Sequence, residues 1–346
     1  MNLLITGGAG FIGSNFVSYL LEQRKDIQII NLDQLTYAGS LDNLREVIDH
    51  PRHIFVEGDI CNRTLVERLF EEYQIKGVIH FAAESHVDNS IKNPTFFVET
   101  NVLGTSILLE AAREFWMDGE GIYKSDFENA RFHHISTDEV YGSLGTEGYF
   151  TENSPYAPNS PYSASKAASD MMVRSYFHTY GMNVVTTNCS NNYGPKQHAE
   201  KLIPTIIRKA ISLEEIPIYG DGQNVRDWLY VLDHCRAIEK VFFEGQSGET
   251  YLIGGHNEKS NTEIAHIICE ILDSYQPVPK NQKGVTKYEQ LIRFVKDRPG
   301  HDFRYAINDR KLRDSLGFQN EYEFEEGIAK TIDYFLKQVK DSNPSL

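Results

Sequence analysis

An α/β fold is predicted, with a doubly wound parallel sheet in the first part of the chain and a smaller α/β lobe after it. Three observations carry that reading. Short apolar runs alternate with longer segments of helical periodicity as far as Pro195. The first run passes directly into a glycine-rich loop. Beyond Pro195 the runs are shorter and the alternation irregular. A βαβα rhythm builds parallel strands covered by helices on both faces.

Taken in order, the candidate strands of the first part are Asn2–Thr6, Ile27–Leu32, His53–Glu57, Gly77–Phe81, Phe132–Ser136 and Asn183–Asn188. Between them, Phe16, Leu20 and Leu21 share one helical face, as do Val102, Ile107, Leu108 and Ala111. Trp116–Ala130 is polar, holds two glycines and breaks the rhythm, which predicts a peripheral surface loop. In the second part, Ile216–Tyr219 and Glu249–Ile253 read as strands. Helices are expected near Asp233–Glu244, Thr262–Ser274 and Tyr322–Lys337, with a linker at Ser274–Gly284. The expected division is residues 1–195 for a cofactor domain and 196–346 for a substrate lobe, with some of the later chain free to return to the first sheet.

The glycine loop narrows the fold to a Rossmann type. Gly7-Gly8-Ala9-Gly10-Phe11-Ile12-Gly13 follows a strand and opens a helix. Glycines there let the backbone approach a pyrophosphate, and the helix N-terminus stabilises its charge. Asp33 ends the next strand, 20 residues after Gly13, where an acid binds ribose hydroxyls. With no arginine beside it, that acid favours NAD over its 2′-phosphorylated relative. Asp59 and Ile60, after the third strand, stand where an adenine contact is expected.

Composition excludes other classes. A formal net charge of -15 argues against general nucleic-acid binding. An anionic substrate would need basic residues gathered against that field. Cys61, Cys189, Cys235 and Cys269 are scattered, with no metal-ligand spacing, so no metal site is expected. The first residues lack a basic stretch, and no apolar run approaches the about 20 residues of a membrane span. A cytoplasmic enzyme is the expectation.

Two further constellations suggest chemistry. Tyr162 and Lys166 are four apart in a helical pattern and share a face. A free tyrosine, with pKa about 10, is a poor base near neutrality; a nearby ammonium and an oxidised nicotinamide would favour its phenolate. Ser136-Thr137 is followed by the adjacent acids Asp138 and Glu139. Paired carboxylates at the end of a buried strand repel and so divide into an acid and a base.

These motifs resemble the extended short-chain dehydrogenase/reductase family, and within it the nucleotide-sugar 4,6-dehydratases. The match runs through Gly7–Gly13, Phe81–Asp88, Ser136–Gly142, Tyr162 with Lys166, Asn188–Pro195, Arg226–Trp228 and Asp297–His301, nearly the whole chain. The resemblance implies that Thr137 bonds the sugar O4, that Tyr162 takes the O4 proton with Lys166 supporting it, and that Asp138 and Glu139 act as acid and base in water loss. It places NAD against Gly7, Gly10, Phe11, Ile12, Gly13, Asp33, Leu35, Thr36, Asp59, Ile60, Ala82, Ala83, Thr100 and Asn192, together with Tyr162 and Lys166. It surrounds the nucleotide sugar with Ser85, His86, Asn191, Lys201, Leu202, Pro217, Tyr219, Arg226, Asn261, Arg298 and His301, besides Thr137. It also implies a homodimer paired through a four-helix bundle, with helices around Thr100–Phe115 and Ala164–Tyr180 as candidates. A 4-epimerase on the same scaffold needs no such acid pair, and the family's decarboxylases and other dehydratases keep a glutamate at the second position but differ at the first, which makes Asp138 the sharper marker. A non-catalytic NAD-sensing protein needs neither Tyr162 nor Lys166. The choice between thymidine and uridine nucleotides is left open.

Overall fold

The computed structural model describes residues 1–280 and 284–342. Seven strands form one all-parallel sheet, in the spatial order Thr250–Ile253, Val184–Cys189, Arg131–Thr137, Gly77–His80, Asn2–Thr6, Gln28–Asp33 and His53–Glu57. Its central strands are buried on both faces, which is why they read as continuous apolar runs. Helices Phe11–Gln23 and Val231–Glu244 pack together on one face; there Phe16, Val17 and Leu20 meet Cys235, Ile238 and Phe242. Helices Arg63–Tyr73, Thr105–Trp116 and Pro161–Tyr180 cover the other. The order reverses at Asn2–Thr6, which pairs with Gln28–Asp33 on one side and Gly77–His80 on the other. A crevice outside the carboxyl ends of these strands is the expected ligand position.

The later chain re-enters this sheet. Thr250–Ile253 pairs in parallel with Val184–Cys189, and the helix before it lies against the first helix. The smaller lobe is built around Ile203, Ile206, Ile207, Ile264, Ile268 and Ile328, on helices Leu202–Ile211, Asn261–Tyr275 and Phe324–Ser342. Ser260 and Glu263 close a reciprocal cap at the second of these. Two small sheets complete the lobe: Glu258–Ser260, Val225–Tyr230 and Asn191–Tyr193 in one, Ile216–Tyr219 and Ile292–Val295 in the other. Within the expected Ser274–Gly284 linker, residues 281–283 lie outside the described residues.

Trp116–Ala130 corrects an expectation. It is no peripheral loop: Met117–Gly119 and Ile122–Tyr123 form an antiparallel hairpin, and Trp116, Met117, Phe127 and Ala130 are all buried in the main core. The Trp116 indole donates to Ile75 O at 2.7 Å, and the Phe115 and Phe127 rings meet edge to face at 4.9 Å. Four spaced apolar anchors hold a segment whose average composition is polar. The helix expected from Thr100 starts instead as a π-type turn over Val98–Gly104 and becomes regular at Thr105.

Candidate active site

Two cavities meet at the crevice. The first is walled by the glycine loop, Asp33, Thr36, Asp59, Ile60, Ala82, Ala83, Thr100 and Asn192, and it ends at Thr137, Asp138, Glu139, Tyr162 and Lys166. The second is walled by His86, Leu202, Pro217, Tyr219, Arg226, Asn261, Arg298 and His301. Ser85, Glu139, Asn191, Glu200 and Lys201 face both. Leu35 alone among the residues expected around the cofactor is absent from the first wall. Its side chain packs into the core, and its amide donates to Asp33 Oδ1 at 2.8 Å.

The first cavity fits a dinucleotide. Gly7 has φ +73°, and a Cβ there would lie 2.6 Å from the Ala82 amide nitrogen. A Cβ on Gly13 would lie 2.3 Å from Gly7 O. Both glycines are fixed by the turn and its packing. Gly10 differs: its nearest obstacle is Gly7 O at 3.3 Å. It starts the helix with no side-chain cap and no acid in the first turn, so helix N–H groups are left for an anion. Asp33 steadies the loop by accepting from the Ala9 amide at 2.9 Å. Asn191 Oδ1 is buried without a partner on the cavity wall.

The acids sit on one turn. The strand Arg131–Thr137 ends in a 3-10 turn, Asp138–Tyr141, capped by Thr137 Oγ1, which accepts the Glu139 amide at 3.3 Å. Gly142, at φ +84°, ends the turn where a side chain would meet Ala157 O. Asp138 is buried, and burial followed by the charges of Glu139 and Asp227 holds its carboxyl protonated well above the usual range. Glu139 is half-buried and also raised by burial, but Lys201 and Arg226 oppose the rise. The shared proton therefore resides on Asp138, with Glu139 the readier base.

Tyr162 is buried beside Thr137; burial, then the Glu139 charge, pushes its phenol well up. Lys166 donates to Ile135 O at 2.8 Å, and burial pulls its ammonium down to about 8. In the second cavity Arg226 stacks 4.3 Å from the Tyr305 ring centroid, and its guanidinium donates to the carbonyls of Val225, Asp302 and Phe303. Lys201, Arg226 and Arg298 there gather positive charge in an acidic chain, while burial lowers the pKa of His86 and His301 and favours their neutral form. Sequence reasoning missed Glu84, Gln197, His198 and Glu200 on the first wall and Asp302 and Tyr305 on the second. For three of the six a usable signal was adjacency to a predicted residue: Glu84 precedes Ser85, Glu200 precedes Lys201, and Asp302 follows His301.

A family model described as GDP-mannose 4,6 dehydratase matches residues 4–331. The chain belongs to this nucleotide-sugar 4,6-dehydratase family. Among relatives of the family, dTDP-glucose 4,6-dehydratase of Xanthomonas campestris pv. campestris (strain B100) is 54% identical, over 96% of this chain and 92% of its own length. The dTDP-glucose 4,6-dehydratase of Streptomyces venezuelae, solved with NAD and TYD bound, superposes with a TM-score of 0.87 at 43% identity, covering 99% of each chain. The Bacillus anthracis dTDP-glucose 4,6-dehydratase, in complex with NAD, gives 0.85 at 44% identity over 98% of each chain. Among the described residues no helix is long and apolar enough to cross a membrane, and no cluster of metal-ligating side chains occurs.

Proposed function

We propose that this chain is an NAD-dependent lyase that converts dTDP-glucose to dTDP-4-keto-6-deoxyglucose, a step of deoxysugar synthesis. The observation that carries the reading is the Asp138–Glu139 turn: two acids of unequal basicity where a dinucleotide cavity meets a cation-lined one. NAD, when bound, takes the hydride from C4 and returns it to C6, and its positive ring favours the Tyr162 phenolate. Tyr162 takes the O4 proton, and Thr137 Oγ1 orients O4. The C4 ketone so formed acidifies the neighbouring C5 proton, which Glu139 removes. Asp138 gives its proton to the C6 hydroxyl, which leaves as water; with the hydride returned to C6, Glu139 gives a proton back to C5.

Residues 1–195 hold the cofactor and the reacting groups in this reading, and 196–346 supply most of the grip on the nucleotide diphosphate through Lys201, Arg226, Arg298 and His301. We further infer a homodimer. Ile91, Phe96, Val98, Leu103 and Met171 are 38–56% exposed on the neighbouring helical segments Val87–Gly104 and Pro161–Tyr180. Apolar residues left open on adjacent helices suit a four-helix contact between two copies. The four free thiols agree with a reducing cytoplasm. The test is substrate deuterated at C4. Product carrying the label at C6 supports the reading, whereas label lost to solvent or free NADH accumulating would mean an ordinary dehydrogenase.

A further inference from the structure

Behind the site the structure buries a carboxylate that the proposed reaction does not use. Asp170 is 3% exposed, four residues beyond Lys166 on the same helix. Its Oδ2 accepts from the Tyr156 hydroxyl and from Asn188 Nδ2, each at 3.0 Å. Its Oδ1 lies 3.1 Å from His134 Nε2. That same nitrogen is 3.5 Å from Lys166 Nζ. Asn188 Nδ2 also donates to Thr137 O at 3.0 Å, so the carboxylate is linked through Asn188 to the backbone of Thr137.

A carboxylate buried this deeply is unfavourable unless hydrogen bonds and opposite charge stand near. The groups around Lys166 narrow the choice. His134 and, behind it, His80 are held neutral by burial. Cys189, on the neighbouring strand, is a thiol pushed up by burial. Tyr162, on Lys166's own helix, is a phenol in the protein alone. The Asp170 carboxyl is held below its ordinary value despite burial, because hydrogen bonds from His134 and Ser136 and the Lys166 charge oppose that effect. It is the anion among these groups and the largest influence opposing the desolvation of Lys166.

We propose that Asp170 is a positioning residue: its carboxylate is the counter-charge that keeps the Lys166 ammonium cationic beside Tyr162, with His134 as a neutral spacer between them. This rests on reading Tyr162 and Lys166 as the base and its support. Removing the charge makes Lys166 lose its proton at lower pH. The Tyr162 phenolate and the grip on the cofactor ribose then weaken on the alkaline side first.

The test compares Asp170→Asn with Tyr156→Phe, which removes one hydrogen bond to the same carboxylate and leaves its charge. With NAD-saturated protein, Asp170→Asn should shift the alkaline limb of kcat down by at least about one pH unit, a loss of about fivefold at pH ~8 with little change at pH ~6. Tyr156→Phe should keep the wild-type limb. A readout independent of activity is NAD retained through desalting: Asp170→Asn should keep it at pH ~6 and shed it at pH ~7.5, where the wild type still holds it. If Asp170→Asn does not fold, Asp170→Ser, equally uncharged and with room for water, should give the same shift. An unmoved limb in the uncharged variant, or the same shift in both variants, overturns the proposal. Tyr162→Phe separates the two readings. If it turns over normally, the base assignment fails; if it is inactive while Asp170→Asn is unshifted, only the counter-charge fails.

Discussion

Thr137 Oγ1 lies 3.4 Å from Asp138 Oδ1, while Asp138 Oδ2 is buried without any partner. The acid is thus oriented by its neighbour and keeps one oxygen for the substrate. Glu139→Gln and Asp138→Asn should therefore fail at different steps. Glu139→Gln should let bound NADH appear on mixing with sugar nucleotide, with little exchange of the C5 proton into deuterated water and little product. Asp138→Asn should still exchange that proton but eliminate water slowly, with a loss of about 10²–10⁴ for want of the acid. Wild-type exchange in Glu139→Gln would place the base elsewhere.

The rate should be bell-shaped in pH. In the proposed mechanism Glu139 works ionised, and its carboxyl is raised by burial, so activity should be lost as pH falls through a limb above the ordinary carboxylate value of about 4.3. Lys166 works charged and titrates at about 8, so activity is lost as pH rises through that value. Steady-state kcat measured across pH, with NAD saturating, checks both limbs. An alkaline limb no lower than that of free lysine would refute the assignment to Lys166.

Two glycines of the loop should respond oppositely to alanine. Gly13→Ala drives a methyl to 2.3 Å from Gly7 O and 2.9 Å from Gly8 Cα, so the turn itself must move, at a cost of about 1–3 kcal/mol or more. Gly10→Ala meets only Gly7 O at 3.3 Å and should melt near the wild-type temperature. Its methyl would stand where the pyrophosphate approaches, so it should lose bound NAD. Thermal unfolding together with cofactor absorbance of the purified proteins separates the two effects.

Met171→Glu tests the dimer. Met171 is 56% exposed in the single chain, so an acid there leaves the fold intact and disfavours an apolar contact between copies. Light scattering should show a dimer for the wild type and a shift towards monomer for the variant at micromolar concentration. A monomeric wild type would sink the assembly outright.

Much of the site is visible in the sequence where local geometry dictates it. The separation of Asp33 from the glycine loop follows from one βαβ unit, and Tyr162 meets Lys166 because four residues make one helical turn. The acid pair stands out because adjacent charges at a strand end have no packing role. What stayed hidden depends on contacts distant in sequence. Asp170 and His134 read as ordinary interior positions of a helix and a strand, and only the sheet brings them together. The Trp116–Ala130 hairpin was obscured because periodicity averages over a segment whose buried anchors are few and spaced apart. The return of Thr250–Ile253 could be anticipated only as a possibility, since an apolar strand carries no label for its partner.

That returning strand bears on how the protein can be made and dissected. Until residues 250–253 arrive, Val184–Cys189 is the sheet's last strand, fully buried in the finished molecule and unpaired along one side. A nascent chain or a fragment ending at residue 195 would display this sticky margin to every other copy nearby. The cofactor half, although first in the sequence, cannot be harvested alone by cutting where the composition changes. A soluble minimal version would have to carry the segment through Ile253, and with it much of the substrate lobe.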